Sequence, residues 1–479
     1  MRACSHLSPP DIEVDLRASV SARTSRSLLR RISPILVAAS VVVAVLAIDA
    51  PPDSSDRVMG LAAGVQGCTI QWSVPETLRT AQGRLVMVDA HEIAPWRTGW
   101  AMVGRLALET DTLGRIIRIP DAPRGYLRAG FLLRDDEIVE PIPAPDAEVF
   151  AFPRIASTPE GGALLVWGRP TDMESQVDEV WSAEFDGTMW TNVQRVAAGE
   201  ELAWSPTYHS RLIVAGDELR LLAGRTRVRQ RSGAVMLRWS RGRWTTVPLR
   251  MPTTSYIQVA ELPGDTLVVA YVAGAEPHGN TLFVQRVDLG GNALGERLRV
   301  SPPSAGVVYD PRMITTTDST LYLVWSGWPS PPSGVRSAQH RAHVYLASSS
   351  DLGRVWRVSE GPLVDLLGPS MLTAMVDSGG AVHVSTRFHR DGVSWPGHLT
   401  WKSEAWYLSE PPRAPDGALV GAPVTVLLPN DSLRMVWLTG RVSDRVGDVV
   451  TTPGMMLSSR GAMTCLDAPE DHPPSRRGQ

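Results

Sequence analysis

The sequence predicts an all-β chain: a β-propeller of six or seven four-stranded antiparallel blades, seven favoured, behind one N-terminal hydrophobic helix. Three observations carry this. First, seven short runs rich in Val, Leu and Trp recur along the chain, which is strand chemistry. They are "GWAMVG", "ALLVWG", "LRLLAG", "LVVAYV", "LYLVWSG", "VHVSTRF" and "LRMVWLTG", starting at Gly99, Ala163, Leu219, Leu267, Leu321, Val382 and Leu433, 48 to 64 residues apart. Second, six of them follow a turn signal ("PEGG", "AGDE", "PGDT", "TTDS", "DSGG", "PNDS"), and extended runs such as "FPRIAST" and "YDPRMITT" precede those turns. Third, each is followed by a loop and a strand that ends in a turn and a tryptophan, as in "VWSAEFDGTMW" and "HLTWKSEAW". Strand, turn, strand, loop, strand, turn, strand over about fifty residues is one propeller blade. No segment keeps helical periodicity over three turns, which excludes an α/β layout.

The N-terminal element is read from charge and hydropathy. Residues 32–48 ("ISPILVAASVVVAVLAI") carry no charge and follow Arg17, Arg23, Arg26, Arg30 and Arg31, with Asp49 closing the run. Seventeen apolar residues stand at the lower limit of a spanning helix. The segment reads as a signal anchor or a signal peptide, with Pro51 and Pro52 unfavourable to cleavage beside Ala50. The basic flank keeps 1–31 cytoplasmic as a basic tail and places the chain after Asp49 outside. Residues 49–66 then read as a linker, 67–467 as the propeller and 468–479 as a disordered tail. The expected location is the cell envelope, or the exterior if the segment is cleaved.

Composition limits the function classes. Hydrophobic residues at 43% and charged residues at 20% describe a folded chain, and a net charge of −3 gives no field that would favour nucleic acid. Lys402 is the only lysine in the sequence, a skew typical of a GC-rich bacterial genome. Of three cysteines, Cys4 is cytoplasmic, whereas Cys68 ("GCTIQW") and Cys465 ("GAMTCL") lie near opposite ends of the exported part. There oxidation is possible, and a closed ring would bring both into one blade as a disulfide.

One stretch, "LASSSDLGRVW", sets Ser349, Asp351, Gly353 and Trp356 at fixed spacing, with Val355 between the last two. The residue types suit a tight turn between the two outer strands of a blade. An aspartate accepts turn N–H groups, a glycine supplies positive φ, and a tryptophan buries its ring. The pattern resembles the Asp-box, S-x-D-x-G-x-T-W, with Val355 in place of threonine. Weaker echoes occur at Asp186-Gly187…Trp190, Gly242…Trp244 and Ser403…Trp406. Asp-boxes mark the sialidase-like propellers, or BNR-repeat proteins, so the chain looks like a divergent bacterial member of that family.

The resemblance implies where sialidase chemistry would sit: three arginines on the substrate carboxylate, an aspartate acid, and a tyrosine nucleophile paired with glutamate. Guanidinium groups bind a carboxylate in a bidentate fork, and a tyrosine nucleophile spares that anion a second carboxylate. In "FPRIASTPEGGALLVWGRPTDM", Arg154 resembles the arginine of the family's R-I-P strand, Arg169 follows the inner strand, and Asp172 takes the place of the acid. Arg312 in "YDPRM" and Arg387 or Arg390 are candidates for the rest of the clamp. Ser370 in "GPSM" and Thr207 in "SPTY" read as the Arg154 equivalents of other units. No tyrosine–glutamate pair stands out in the late blades. "RTRVRQR" (225–231) would put four arginines on one face of a strand, and "GWPSPPSG" (327–334) would form a rim loop. His383, His389 and His398 lack metal-ligand spacing.

The expected function is therefore a non-catalytic, sialidase-like propeller, membrane-attached through 32–48 or exported, that binds a glycan or protein at the cell surface. A retaining exo-sialidase acting on acidic sugars is the alternative. No cofactor, metal or nucleic acid is expected, and the chain is expected to be a monomer.

Overall fold

The computed structural model describes residues 68–465 apart from internal stretches, the longest being 79–85, 118–129, 142–150, 171–176, 206–211, 275–280, 329–338 and 412–417. The hydrophobic segment 32–48, its basic flank, the 49–66 linker and the 468–479 tail lie outside the described residues. Among those described, no helix is long and apolar enough to cross a membrane.

Strands follow one another as antiparallel hairpins in five hydrogen-bonded sheets, with a single 3₁₀ turn at Pro303–Ala305 among the described residues. Two sheets follow four-strand meander paths, the first with Ile116–Ile117 paired off its second strand. One runs Val86–Trp96, Gly99–Thr110, Gly130–Arg134 and Glu137–Pro141; the other runs Ser255–Leu262, Thr266–Ala273, Thr281–Asp288 and Leu298–Arg299. Two larger sheets each join two successive meanders. Trp204–Ser205 bridges 151–198 to 212–249, and the Leu366–Phe388 pair bridges 307–367 to 373–409. The fifth contains Val424–Leu427, Leu433–Arg445 and Met456–Cys465, and takes Cys68–Trp72 as its outer strand. Both ends of the described chain therefore share one sheet, with Cys68 directly opposite Cys465.

The first strands of the meanders touch in chain order. Val86–Trp96 meets Ala151–Ser157, which meets Leu212–Ala215, and the contacts continue through Ser255–Leu262, Val307–Thr315 and Thr373–Val376 to Val424–Leu427. That last strand returns to Val86–Trp96, so the strands circle an axis as a propeller requires.

The sequence forms these elements because its apolar runs are buried on both faces. Every residue of Thr266–Ala273 is buried, as a strand packed between two neighbouring sheets must be. The core is accordingly a series of layers between sheets. Val268, Ala270 and Val272 pack on Leu321, Leu323 and Trp325, while Val324, Val344 and Leu346 pack on Val382, Val384 and Leu399. Trp167, Tyr271, Trp325 and Trp437 fill one repeated position on the second strands, each at most 1% exposed. Such residues bury large apolar areas.

Candidate functional site

The hairpin register shows which residues of the first strands are equivalent. Arg154 pairs with Val166, Gln258 with Ala270 and Arg312 with Val324. Each follows a register shift, between Ala151/Arg154, Ser255/Gln258 and Tyr309/Arg312. The bulge residues Tyr256 and Asp310 take positive φ, 53° and 52°. That is rare for a bulky side chain and costs about 1–2 kcal/mol. Bulges of this kind re-aim the following side chain and gather next to binding sites.

In the later units the register corrects the sequence reading. Arg154 and Arg312 stand four residues before the residues opening their turns, Thr158 and Thr316, each of which bonds across its turn. Counting back equally from Asp377 gives Thr373, paired with Ser385. Ser370 lies outside the described residues, and the register set by the turn between Asp377 and Ala381 gives the position to Thr373, three residues on in the sequence. Thr207 lies outside the described residues, and Leu212, paired with Leu222, holds that position in its unit.

Two cavities lie along the first strands. One, of about 310 Å³, is lined by Gln258 and Arg312 together with Pro95, Thr373 and Thr425. The other, of about 420 Å³, is lined by Ser157, Ile213 and Glu261, among others. Pro95, Met313 and Thr315 belong to both. The Ser157 hydroxyl donates to the Pro95 carbonyl across two first strands. Burial, and then the negative charge of Asp265, raise the Glu261 carboxyl above its ordinary value.

The predicted arginines separate. Arg312 is on the cavity wall, where its Nε donates to the Leu372 carbonyl at the entry to the next meander. Arg154 is 1% exposed, and its Nη1 donates to the Pro153 carbonyl at 2.7 Å; it lines neither cavity. Arg169 lies on its strand opposite Glu179. Arg387 lies opposite Pro396, its guanidinium half-buried and shifted below its ordinary pKa by burial. Asp172, the 329–338 part of the rim loop and residues 229–230 of the arginine-rich run lie outside the described residues.

Sequence reasoning passed over Gln258, Asp310 and Thr425. Asp310 is buried beside Arg312 at 1% exposure. Its signal was available, since Asp is among the few residues enriched at positive φ. Tyr309 packs edge-on against Tyr256 at 6.3 Å and at a tilt against Trp328 at 5.1 Å, an aromatic cluster around the two bulges.

The Ser349–Trp356 turn lies between Gln339–Ser349 and Arg357–Leu367. The Asp351 carboxylate accepts Arg354 N–H at 3.1 Å, Val355 N–H at 2.9 Å and the Ser349 hydroxyl at 2.8 Å. Gly353 has φ 78°, and Trp356 Nε1 donates to the Gly353 carbonyl at 3.1 Å. At Asp186 a shorter version of the turn accepts the N–H groups of Thr188 and Met189.

No family model matches the chain, and no curated protein does. Among solved structures it is similar to a protein of unknown function from Dyadobacter fermentans, at 13% identity and TM-score 0.42 over 66% of this chain and 95% of that one. It is also similar to a polysaccharide lyase, an ulvan lyase, at 12% identity and TM-score 0.43 over 60% and 76%. A third likeness is to the phage phi92 endosialidase, at 11% identity and TM-score 0.44 over 85% and 70%.

Proposed function

We propose that this chain is a seven-bladed, sialidase-like propeller that binds a glycan or a protein at the cell surface without chemical turnover. It is held at the membrane by 32–48 or released after cleavage. One observation carries the binding reading. The strained bulges at Tyr256 and Asp310 set Gln258 and Arg312, at equivalent register, into the wall of one axial cavity. A guanidinium offers a fork of N–H donors, and an amide a donor and an acceptor, groups suited to the carboxylate and hydroxyl groups of an acidic sugar. Arg154 has the same register but is buried outside that cavity, which favours binding over a three-arginine catalytic clamp. Seven blades are supported by the closed order of contacts among the first strands.

The test is retention of the full-length protein on an array of acidic and neutral glycans. Acidic glycans should be retained, and Arg312→Ala should weaken retention by about tenfold or more, the worth of a charge-assisted bond. Equal retention of wild type and variant would refute the assignment.

The alternative, a retaining exo-sialidase with Arg154, Arg312 and Arg387 as clamp, Arg169 nearby and Asp172 as acid, draws support from the matched bulges ahead of Arg154 and Arg312. It requires release of fluorophore from a fluorogenic sialoside by wild type, with loss in Asp172→Ala.

A further inference from the structure

A chain of buried polar side chains runs from a surface turn to the axial cavity. Asp377, His383, Ser385, His398, Thr400 and Thr425 are each at most 6% exposed. His383 Nε2 lies 3.3 Å from Asp377 Oδ2, and His383 Nδ1 lies 3.2 Å from His398 Nε2. His398 Nδ1 lies 2.9 Å from Ser385 Oγ, which lies 2.7 Å from Thr425 Oγ1. Thr425 lines the cavity that Arg312 and Gln258 share.

Donor and acceptor roles follow from one end. A carboxylate only accepts, so His383 Nε2 carries a proton. With His383 neutral, its Nδ1 accepts from His398 Nε2–H and faces the Thr400 hydroxyl at 3.5 Å. His398 Nδ1 then accepts the Ser385 O–H, and Ser385 accepts the Thr425 O–H. Every link points towards Asp377, and Thr425 shows the cavity only lone pairs.

The charged surroundings determine where a further proton would rest. Lys402, from the chain's own sheet, acts on Asp377. Asp431, from the neighbouring sheet, accepts the Ser378 N–H and hydroxyl beside the turn. Trp72 closes the far side of His398 edge-on at 5.4 Å. Burial and the charge of His383 hold His398 well below its ordinary pKa. Burial raises the Asp377 carboxyl, but the His383 and Ala381 hydrogen bonds and the charges of His383 and Lys402 outweigh it. Of the two imidazoles, His383 is the one whose Nε2 faces a carboxylate, Asp377 Oδ2 at 3.3 Å, so an added proton there forms an ion pair.

We propose that this chain is a proton relay that sets the hydrogen-bonding polarity of the axial cavity at Thr425. A proton entering at Thr425 Oγ1 sends the Thr425 proton to Ser385, the Ser385 proton to His398 Nδ1, and the His398 Nε2 proton to His383 Nδ1. Each intermediate group gains one proton and loses one, and His383 alone gains charge. Ser385 now donates to Thr425, whose O–H turns into the cavity and presents a donor where an acceptor stood. The relay belongs to the protein alone and holds whichever ligand the cavity takes.

The test is imidazole ¹⁵N and threonine methyl NMR on the full-length protein, from about pH 8 to about pH 5, the range of histidine switching. Expected are protonation of both His383 nitrogens, a shift of the His398 proton from Nε2 to Nδ1, and a Thr425 methyl titration at the same midpoint. In Ser385→Ala, His383 should still titrate and Thr425 should no longer follow. A His383 that does not titrate, a fixed His398 tautomer, or coupling that survives Ser385→Ala overturns the relay. The His398 tautomer in the wild type decides by itself if the variant does not fold.

Discussion

Asp351 shows how much one side chain can do in a turn. Its carboxylate satisfies two backbone N–H groups and the Ser349 hydroxyl, and those bonds hold its pKa below the ordinary carboxylate value. A depressed folded pKa stabilises fully above the unfolded value of about 3.9, and the contribution fades as pH falls through the folded value. Asp351→Ala should lower stability by about 1 kcal/mol near neutral pH, and the gap from wild type should narrow below about pH 3.9 in denaturant melts. Gly353→Ala should cost about 1–2 kcal/mol, because φ is 78° and a Cβ would come 2.9 Å from Val268 of the preceding sheet. Unchanged melts would contradict the geometry. This turn was legible in the sequence because its chemistry is local: acceptor, glycine and tryptophan all lie within eight residues.

At the scale of elements, legibility depends on register. The apolar runs and turn signals disclosed the hairpins, but the Arg154 equivalents could be named only once each turn was placed to the residue. A three-residue slip put Ser370 where Thr373 stands. The histidines show the same limit. Ser385 and His398 are cross-strand partners, as are His383 and Thr400, a relation that appears only when the hairpin after Arg390 is counted through its turn. Closure of the fifth sheet carries a prediction of its own. Cys68 and Cys465 are directly opposed on antiparallel strands, close enough for a cross-link, and we propose that they are joined wherever the chain meets an oxidising compartment. Non-reducing peptide mapping should recover one peptide pair containing both residues, and Cys465→Ser should lower the melting temperature only under oxidising conditions. Free thiols at both positions in protein isolated under oxidising conditions would contradict this.

For the whole molecule, the repeat disclosed the architecture, and the axis disclosed the site. The propeller was readable because each unit repeats the same buried second strand, marked by Trp167, Tyr271, Trp325 and Trp437. The cavity was not, because its wall takes a few residues from each of several strands far apart in sequence. Gln258 and Thr425 carry no motif, and only folding brings them beside Arg312. The wall is proposed to bind an acidic ligand and not to cleave it. Side-by-side measurement of retention on immobilised sialosides and of fluorophore release from a fluorogenic sialoside, for wild type and Arg312→Ala, tests it most directly. Expected are retention by wild type, about tenfold weaker retention by the variant, and no fluorophore release from either. Release by wild type, abolished in the variant, would contradict it.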